Sequence, residues 1–441
     1  MTEGFTTPRR SRSVPASRLA RLGRMGGLAG GLAGDLALGA GRALARGERP
    51  RIDRLMLTPG TMGRIADRLS EMRGAAMKLG QLLSMETGDM LPPELAEILG
   101  RLRDDAHTMP PKQLKTVLEA SYGTGFRRLF KGFDTSPLAA ASIGQVHRAT
   151  ASDGMALALK LQYPGVRDAI DSDLDNAAAL IRWSGLLPPE IDLAPLLAEA
   201  RLQLHDEADY AREGRYMARF AELLAGDARF VVPRHRPDLS APGALAMSYE
   251  PAQPIETLAH APPDVRDAAI TALIELCLRE LFEFRLMQTD PNFANYRWRP
   301  ETGQIVLLDF GATREIPQVL AEGHMRLLRA GLARDRDGVL SALEGLGFVR
   351  PGLKPHHRAA LLDMADMGFD ALDGALDFAV DDLPERMRRR GMEIGSEREL
   401  WHIPPAETLF LQRKIGGLYL VAARVGARVD FPALLARYRV E

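Results

Sequence analysis

The sequence predicts an α+β protein of two or more lobes, and three observations carry that prediction. The chain has 441 residues, more than the about 250–300 at which a single hydrophobic core stops growing. Alternation with a period of two begins at Ala140 and returns between Phe230 and Glu250, marking a block that contains strands. Helical spacing fills the stretch before that block, and everything after about Pro317 reads as helix.

Taken in order, the chain opens with Arg9, Arg10, Arg12, Arg18, Arg21 and Arg24 against the single acid Glu3, then runs into "MGGLAGGLAGDLALGAGRALA". Gly26, Gly30 and Gly34 recur every four residues, a spacing that lets helices approach closely in lipid, but Asp35 and Arg42 interrupt the apolar run. Lodging at a membrane interface, a dimeric contact and a disordered glycine-rich leader all fit this segment. From Pro50 to about Arg103 the pattern is helical, with Met62, Ile65, Leu69, Met72 and Met77 at helical spacing and Pro92-Pro93 starting a new helix. "ASIGQVHRAT" and "MALALKLQ" flank the turn signal "ASDG" and read as a hairpin. Met155, Leu157, Leu159 and Leu161 then share one face of the second strand, and Ala156, Ala158 and Lys160 share the other. Helices are expected over Arg167–Ile181, Ala194–Leu224 and Asp264–Leu286, a further strand pair within "FVVPRHRPDLSAPGALAMSYE", and a last strand at "IVLLDFG".

Composition excludes several classes. With 57 basic and 58 acidic residues the charge is balanced, so nothing global favours nucleic acid. The single cysteine, Cys277, excludes an internal disulfide framework and a cysteine-based zinc site, and its apolar neighbours make it a core thiol. No uninterrupted apolar run reaches the about 20 residues of a membrane span.

The chemistry lies in residues that are weak signals singly and informative in their order. Phosphoryl transfer from a nucleotide needs a lysine on the phosphates, a carboxylate holding that lysine, and oxygen ligands for magnesium. Lys160 lies on a strand facing small residues, Glu213 follows on a helix, Asp290 and Asn295 lie in "QTDPNFAN", and Asp309 opens Asp-Phe-Gly. Asn295 and Asp309 offer hard oxygens suited to magnesium, and Asp290 is the loop carboxylate beside the transferring group.

At these residues the chain resembles the atypical protein-kinase-like UbiB family, in its coenzyme Q biosynthesis branch. The likeness rests on "MKLGQ" (Met77–Gln81), "AAASIGQVH" (Ala139–His147), "LALKLQYPGV" (Leu157–Val166), "EADYARE" (Glu207–Glu213), "QTDPNFAN" and "LLDFG". It implies a bilobal protein-kinase-like fold with a leader at 1–50, a helical extension at 51–135, a small β-containing lobe at 136–252 and a helical lobe at 253–441. It implies ATP and Mg2+ as ligands, with Lys78, Gln81, Glu207 and Asp209 as family-specific regulatory residues over the active site. The expected setting is a membrane surface, the cytoplasmic face of a bacterial inner membrane or the mitochondrial inner membrane. Membrane lipid, isoprenoid quinone precursors, ubiquinone biosynthesis proteins and a second copy of the chain are the partners it suggests.

Two departures from ordinary kinases refine the expectation. Ala139, Ala140, Ala141 and Ser142 stand where a glycine-rich loop would cover the phosphates, and their β-carbons stiffen the backbone there. Gln288 and Thr289 precede Asp290 in place of an arginine, and no Ala-Pro-Glu follows Gly311, so a phosphate-switched peptide platform is unsupported. An ATPase is therefore the leading expectation. A kinase acting on a protein or small molecule, and a nucleotide-binding scaffold of a biosynthetic complex, are the alternatives.

Overall fold

The computed structural model describes residues 63, 67, 69, 72–87, 108–183, 193–290, 292–349, 352–395 and 406–438. The basic glycine-rich leader, the Pro92-Pro93 helix start and the side chain of Gln81 lie outside the described residues. The chain divides into two units, the first ending at Arg215 and completed by Arg234–Tyr249, the second formed by Tyr216–Pro233 and everything from Glu250.

In the first unit, helix α1 (Arg73–Thr87) and helix α2 (Pro111–Tyr122) precede an antiparallel sheet in the order β1 (Phe130–Ala140), β2 (Gly144–Ala151), β3 (Ala156–Gln162) and β5 (Ala244–Ser248). Pro137 is tolerated because β1 lies at the sheet edge, and its register shifts mark bulges there. The expected hairpin forms with Gly144 opposite Gln162 and Thr150 opposite Ala156, closed by Gly154 at φ 93°. Leu157 and Leu159 enter an apolar cluster with Phe130, Ala149, Leu239 and Ala246. Leu161 joins Leu114, Val117, Leu118 and Tyr163 instead.

A helical layer completes this unit. Helix α3 (Val166–Trp183) and helix α4 (Leu193–Ala208) pack on α1, burying Ala76, Leu79, Leu83, Leu174, Ala177 and Leu204 together. Leu69 and Met72 join the same core and Met77 packs against it, as the helical spacing predicts. The expected single helix from Ala194 to Leu224 is instead two, α4 and α5 (Tyr210–Leu223), broken at Asp209. The Asp209 carboxylate accepts from the Arg212 N–H at 2.9 Å and so satisfies one of the orphan donors of a new helix start.

In the second unit, Pro262-Pro263 starts helix α6 (Pro263–Arg279), because a proline at the first helical position forfeits only an N–H that has no partner there. The helical pattern expected to run to Leu286 stops earlier: a π turn at Glu280–Phe284 and Arg285 at φ 49° turn the chain into strand β7 (Leu286–Gln288). Strand β7 pairs antiparallel with β10 (Thr313–Glu315). A second sheet runs in the order β4 (Phe230–Val231), β9 (Gln304–Leu307), β8 (Tyr296–Arg299) and β6 (Gln253–Pro254), with β4 and β9 parallel.

Two expectations are thus corrected. The strand pair expected within Phe230–Glu250 is reduced to a single antiparallel bridge, His235 with Met247, while Phe230–Val231 pairs with β9 and Ala244–Ser248 pairs with β3. The stretch beyond Pro317 is not wholly helical either. Helices α7 (Gln318–Leu332), α8 (Arg336–Gly345) and α9 (Pro355–Asp370) are followed by the short strand β11 (Ala375–Asp377). After helix α10 (Leu383–Gly395) and helix α11 (Ala406–Val425), strand β12 (Arg428–Asp430) pairs with β11, and α12 (Phe431–Leu435) follows. Val429 on β12 is fully buried, which explains a pairing that a three-residue alternation could not announce.

Candidate functional site

In the first unit, β3 presents Lys160 on the face opposite Leu159 and Leu161, where it is 7% exposed. Its Nζ donates to both carboxylate oxygens of Glu213 at 2.9 Å, and Glu213 is fully buried in the first turn of α5. An acid in that turn also faces the positive end of the helix dipole. The ammonium lies 5.5 Å from the centre of the Tyr210 ring. A snorkelling surface lysine is therefore excluded, and Lys160 is held in one place.

Ala139 and Ala140 end β1 opposite Val146 and Gln145, and Ala141 N–H donates to the Gly144 carbonyl at 2.8 Å. The alanine segment is thus a closed hairpin turn. Ser142 Oγ donates to Glu207 Oε2 at 2.8 Å, and Lys78 Nζ reaches Glu207 Oε1 at 2.5 Å. Glu207 therefore ties α1 to the turn, and Lys78 is 5% exposed, not a surface lysine. Gly74 permits this approach: a β-carbon there would meet Ser142 O and Ile143 Cγ2 at 3.1 Å. Gly144 is constrained more tightly, since its β-carbon would fall 2.3 Å from Leu161 O. Gln145 Oε1 accepts from Met109 N–H at 2.9 Å, and its amide meets His147 Nε2 at 2.7 Å. Burial lowers the His147 pKa, opposed by the Asp134 carbonyl at its Nδ1.

In the second unit, Asn295 Nδ2 donates to Asp290 Oδ2 at 3.1 Å and to the Asp290 carbonyl at 3.2 Å. Leu308 N–H donates to Asn295 O at 2.8 Å, binding the loop to the segment that carries Asp309. Asp309 adopts φ 58°, a left-handed conformation that aspartate tolerates better than most residues, and its Oδ1 accepts from Gly311 N–H at 3.2 Å. Phe310 is buried against Phe220 at 5.1 Å between ring centres. Gln288 Nε2 donates to the Asp309 carbonyl at 3.1 Å, and Thr289 Oγ1 to the Ala312 carbonyl at 2.7 Å.

The donor set fits magnesium: one carboxamide and one carboxylate offer hard oxygens, and such sites complete octahedral coordination with water and substrate phosphate. Among the described residues no group of three or more His, Cys, Asp or Glu side chains is placed to hold a metal by itself. The structure thus brings Lys160 to Glu213 and Lys78 to Glu207 in the first unit, and Asp290 to Asn295 in the second. Asp209 serves as a helix cap, and Gln81 lies on α1.

Sequence reasoning missed two residues of α11. Arg413 Nη2 contacts Asp290 Oδ1 at 3.0 Å, and Lys414 bonds the Gln288 carbonyl at 2.8 Å. The available signal was a basic pair inside the otherwise apolar helix "TLFLQRKIGGLYL".

A sheet lysine paired with a helix carboxylate, a loop carrying aspartate and asparagine, and an Asp-Phe-Gly turn define an α+β, protein-kinase-like chain. Residues 101–343 match the ABC1 atypical kinase-like domain, and the chain belongs to this ABC1/UbiB family. It is 36% identical over 424 residues to the mitochondrial atypical kinase COQ8 of Saccharomyces cerevisiae, covering 95% of this chain and 84% of that protein. Mitochondrial atypical kinase COQ8B of Danio rerio is 34% identical over 427 residues, covering 95% of this chain and 68% of its own length. Among solved structures, Rv3197 of Mycobacterium tuberculosis, in complex with erythromycin, aligns with a TM-score of 0.59 and 25% identity over 84% of this chain and 93% of that one. Among the described residues no helix is long and apolar enough to cross a membrane.

Proposed function

We propose that this chain binds ATP with magnesium and hydrolyses it in support of ubiquinone biosynthesis at a membrane surface. The observation that carries the nucleotide reading is the buried Lys160–Glu213 pair, two contacts of 2.9 Å between residues far apart in the chain. A fixed ammonium is the group needed at the α- and β-phosphates. The Ala139–Ser142 turn would cover the nucleotide, and its rigidity favours a binding strength or selectivity unlike that of a glycine-rich loop. Magnesium held by Asn295 and Asp309 would neutralise phosphate charge. Asp290, oriented by Asn295 and Arg413, would align the attacking water or hydroxyl. Lys78 and Glu207, bonded to each other, would control the turn from α1 and α4 through the bond from Ser142 to Glu207.

The short link from Gly311 to α7, occupied by β10, favours water or a small acceptor over an extended peptide. The quinone assignment rests on likeness to mitochondrial COQ8 proteins, and the arginine-rich leader fits an anionic lipid surface.

The test is to delete the gene in its source organism, measure ubiquinone and its precursors, and complement with the parent chain or with Asp309→Asn. Ubiquinone lost and restored by the parent chain alone supports the proposal. Ubiquinone unchanged by the deletion overturns the biosynthetic assignment, and full rescue by Asp309→Asn overturns the need for metal-dependent chemistry. Purified chain with labelled ATP separates hydrolysis from transfer: label in a product other than inorganic phosphate overturns the ATPase reading in favour of a kinase.

A further inference from the structure

Helix α11 buries Leu411, Leu418, Val421 and Val425 along one stripe, and Lys414 sits on that same stripe at 2% exposure. An ammonium in an apolar seam is unfavourable unless its donors are satisfied. Lys414 Nζ donates to the Gln288 carbonyl at 2.8 Å, to Gln288 Oε1 at 3.1 Å and to Tyr296 Oη at 2.9 Å, and it faces Glu280 Oε2 at 3.2 Å. Burial by itself lowers its pKa, but Glu280 and Tyr296 raise it above the ordinary lysine value, so the group stays charged.

The partners sit at particular places. Gln288 ends β7 two positions before Asp290, and Tyr296 directly follows Asn295, so one ammonium grips both ends of the segment that carries these two residues. Gln288 passes the restraint on, since its Nε2 donates to the Asp309 carbonyl at 3.1 Å and its N–H faces Glu280 Oε1 at 3.4 Å. For stability alone a buried ion pair is a poor device, because well-packed apolar residues of similar volume often serve as well or better.

We infer that Lys414 is a positioning residue of the phosphoryl-transfer site, whose ammonium fixes the spacing among Asp290, Asn295 and Asp309. It acts through the Gln288 and Tyr296 contacts and touches no substrate. The inference rests on the Mg-ATP reading for its functional consequence, but its structural content stands apart from that reading.

The test uses the full chain and the double variant Glu280→Gln/Lys414→Met, which removes both charges at nearly constant volume and so avoids stranding a buried carboxylate. Amide hydrogen exchange without nucleotide comes first. Amides of residues 288–296 and 308–313 are expected to exchange at least tenfold faster in the variant, with α6 and α8 unchanged. Equal exchange in the two proteins overturns the inference, whatever the nucleotide does. ATP binding is then titrated with magnesium. The magnesium concentration giving half-maximal tightening of ATP is expected to rise about tenfold, while binding of ATP without magnesium keeps its parent value. An unchanged magnesium dependence reduces Lys414 to a packing role and also overturns the inference. Parent chain that binds no ATP at any magnesium concentration overturns the Mg-ATP reading instead, and the exchange result alone then decides the role of Lys414.

Discussion

Removing Glu213 alone should damage the first unit more than removing Glu213 and Lys160 together. The two side chains are 1% and 9% exposed, and the ammonium touches both carboxylate oxygens at 2.9 Å. At that separation and an effective dielectric of about 20, the attraction is about 6 kcal/mol, much of it offset by the desolvation of both groups. Glu213→Leu leaves an ammonium buried beside Tyr210 without its counter-charge, and the expected loss of stability is about 3–5 kcal/mol. Lys160→Met/Glu213→Leu removes both charges and should recover most of that loss, giving a coupling energy of about 2 kcal/mol or more. Urea unfolding followed by far-ultraviolet circular dichroism, applied to the parent chain, both single variants and the double, completes the cycle. On the proposed function ATP affinity should fall in all three variants, because restoring stability does not restore the ammonium proposed to meet the phosphates. A single variant that loses less than about 1 kcal/mol, or a double variant whose loss equals the sum of the singles, would refute the buried pair as described.

Three further outcomes follow from the geometry. Gly144→Ala should cost about 1–3 kcal/mol by overpacking, because β3 is held between β2 and β5 and Leu161 O, 2.3 Å from the new β-carbon, cannot retreat; Gly132→Ala, with nothing nearer than 3.7 Å, is the control in the same denaturation assay. Burial lowers the pKa values of His147, His235 and His324, so the unfolded chain takes up protons at these sites first as the pH falls. Stability should therefore be fully present above pH about 6.5 and decline below it, and His147→Gln should flatten that decline in denaturation midpoints measured from pH 8 to pH 5. Ala140→Gly should raise ATP affinity by loosening the hairpin turn, and an unchanged dissociation constant by calorimetry would count against assigning that turn to the nucleotide.

Much of the first unit was legible in the sequence because its signals are local. The hairpin from Gly144 to Gln162 follows from alternation around Ser152, Asp153 and Gly154, and the helix around α1 follows from the helical spacing of Leu69, Met72 and Met77. The order Lys160, Glu213, Asp290, Asn295, Asp309 was also readable, since each residue type answers a stated chemical need. The break at Asp209 was harder to read: an aspartate within a helical pattern is a surface residue or a cap depending on whether its carboxylate finds the backbone N–H of Arg212. The strand partners of Phe230–Val231 and Ala244–Ser248 were beyond reach, because alternation says that a strand has an apolar face but not which strand will cover it.

The sequence by itself determined the class and the family and singled out the candidate site residues, because those depend on residue identity and on intervals along the chain. Only the tertiary structure decided which charge meets which. It made Glu207 the common partner of Lys78 and Ser142, and it set Arg413 on Asp290 and Lys414 beneath Gln288 and Tyr296. The physical reason is that an ion pair in a low-dielectric interior is fixed by a few ångströms of separation, and separation through space between residues a hundred positions apart leaves no trace in local pattern.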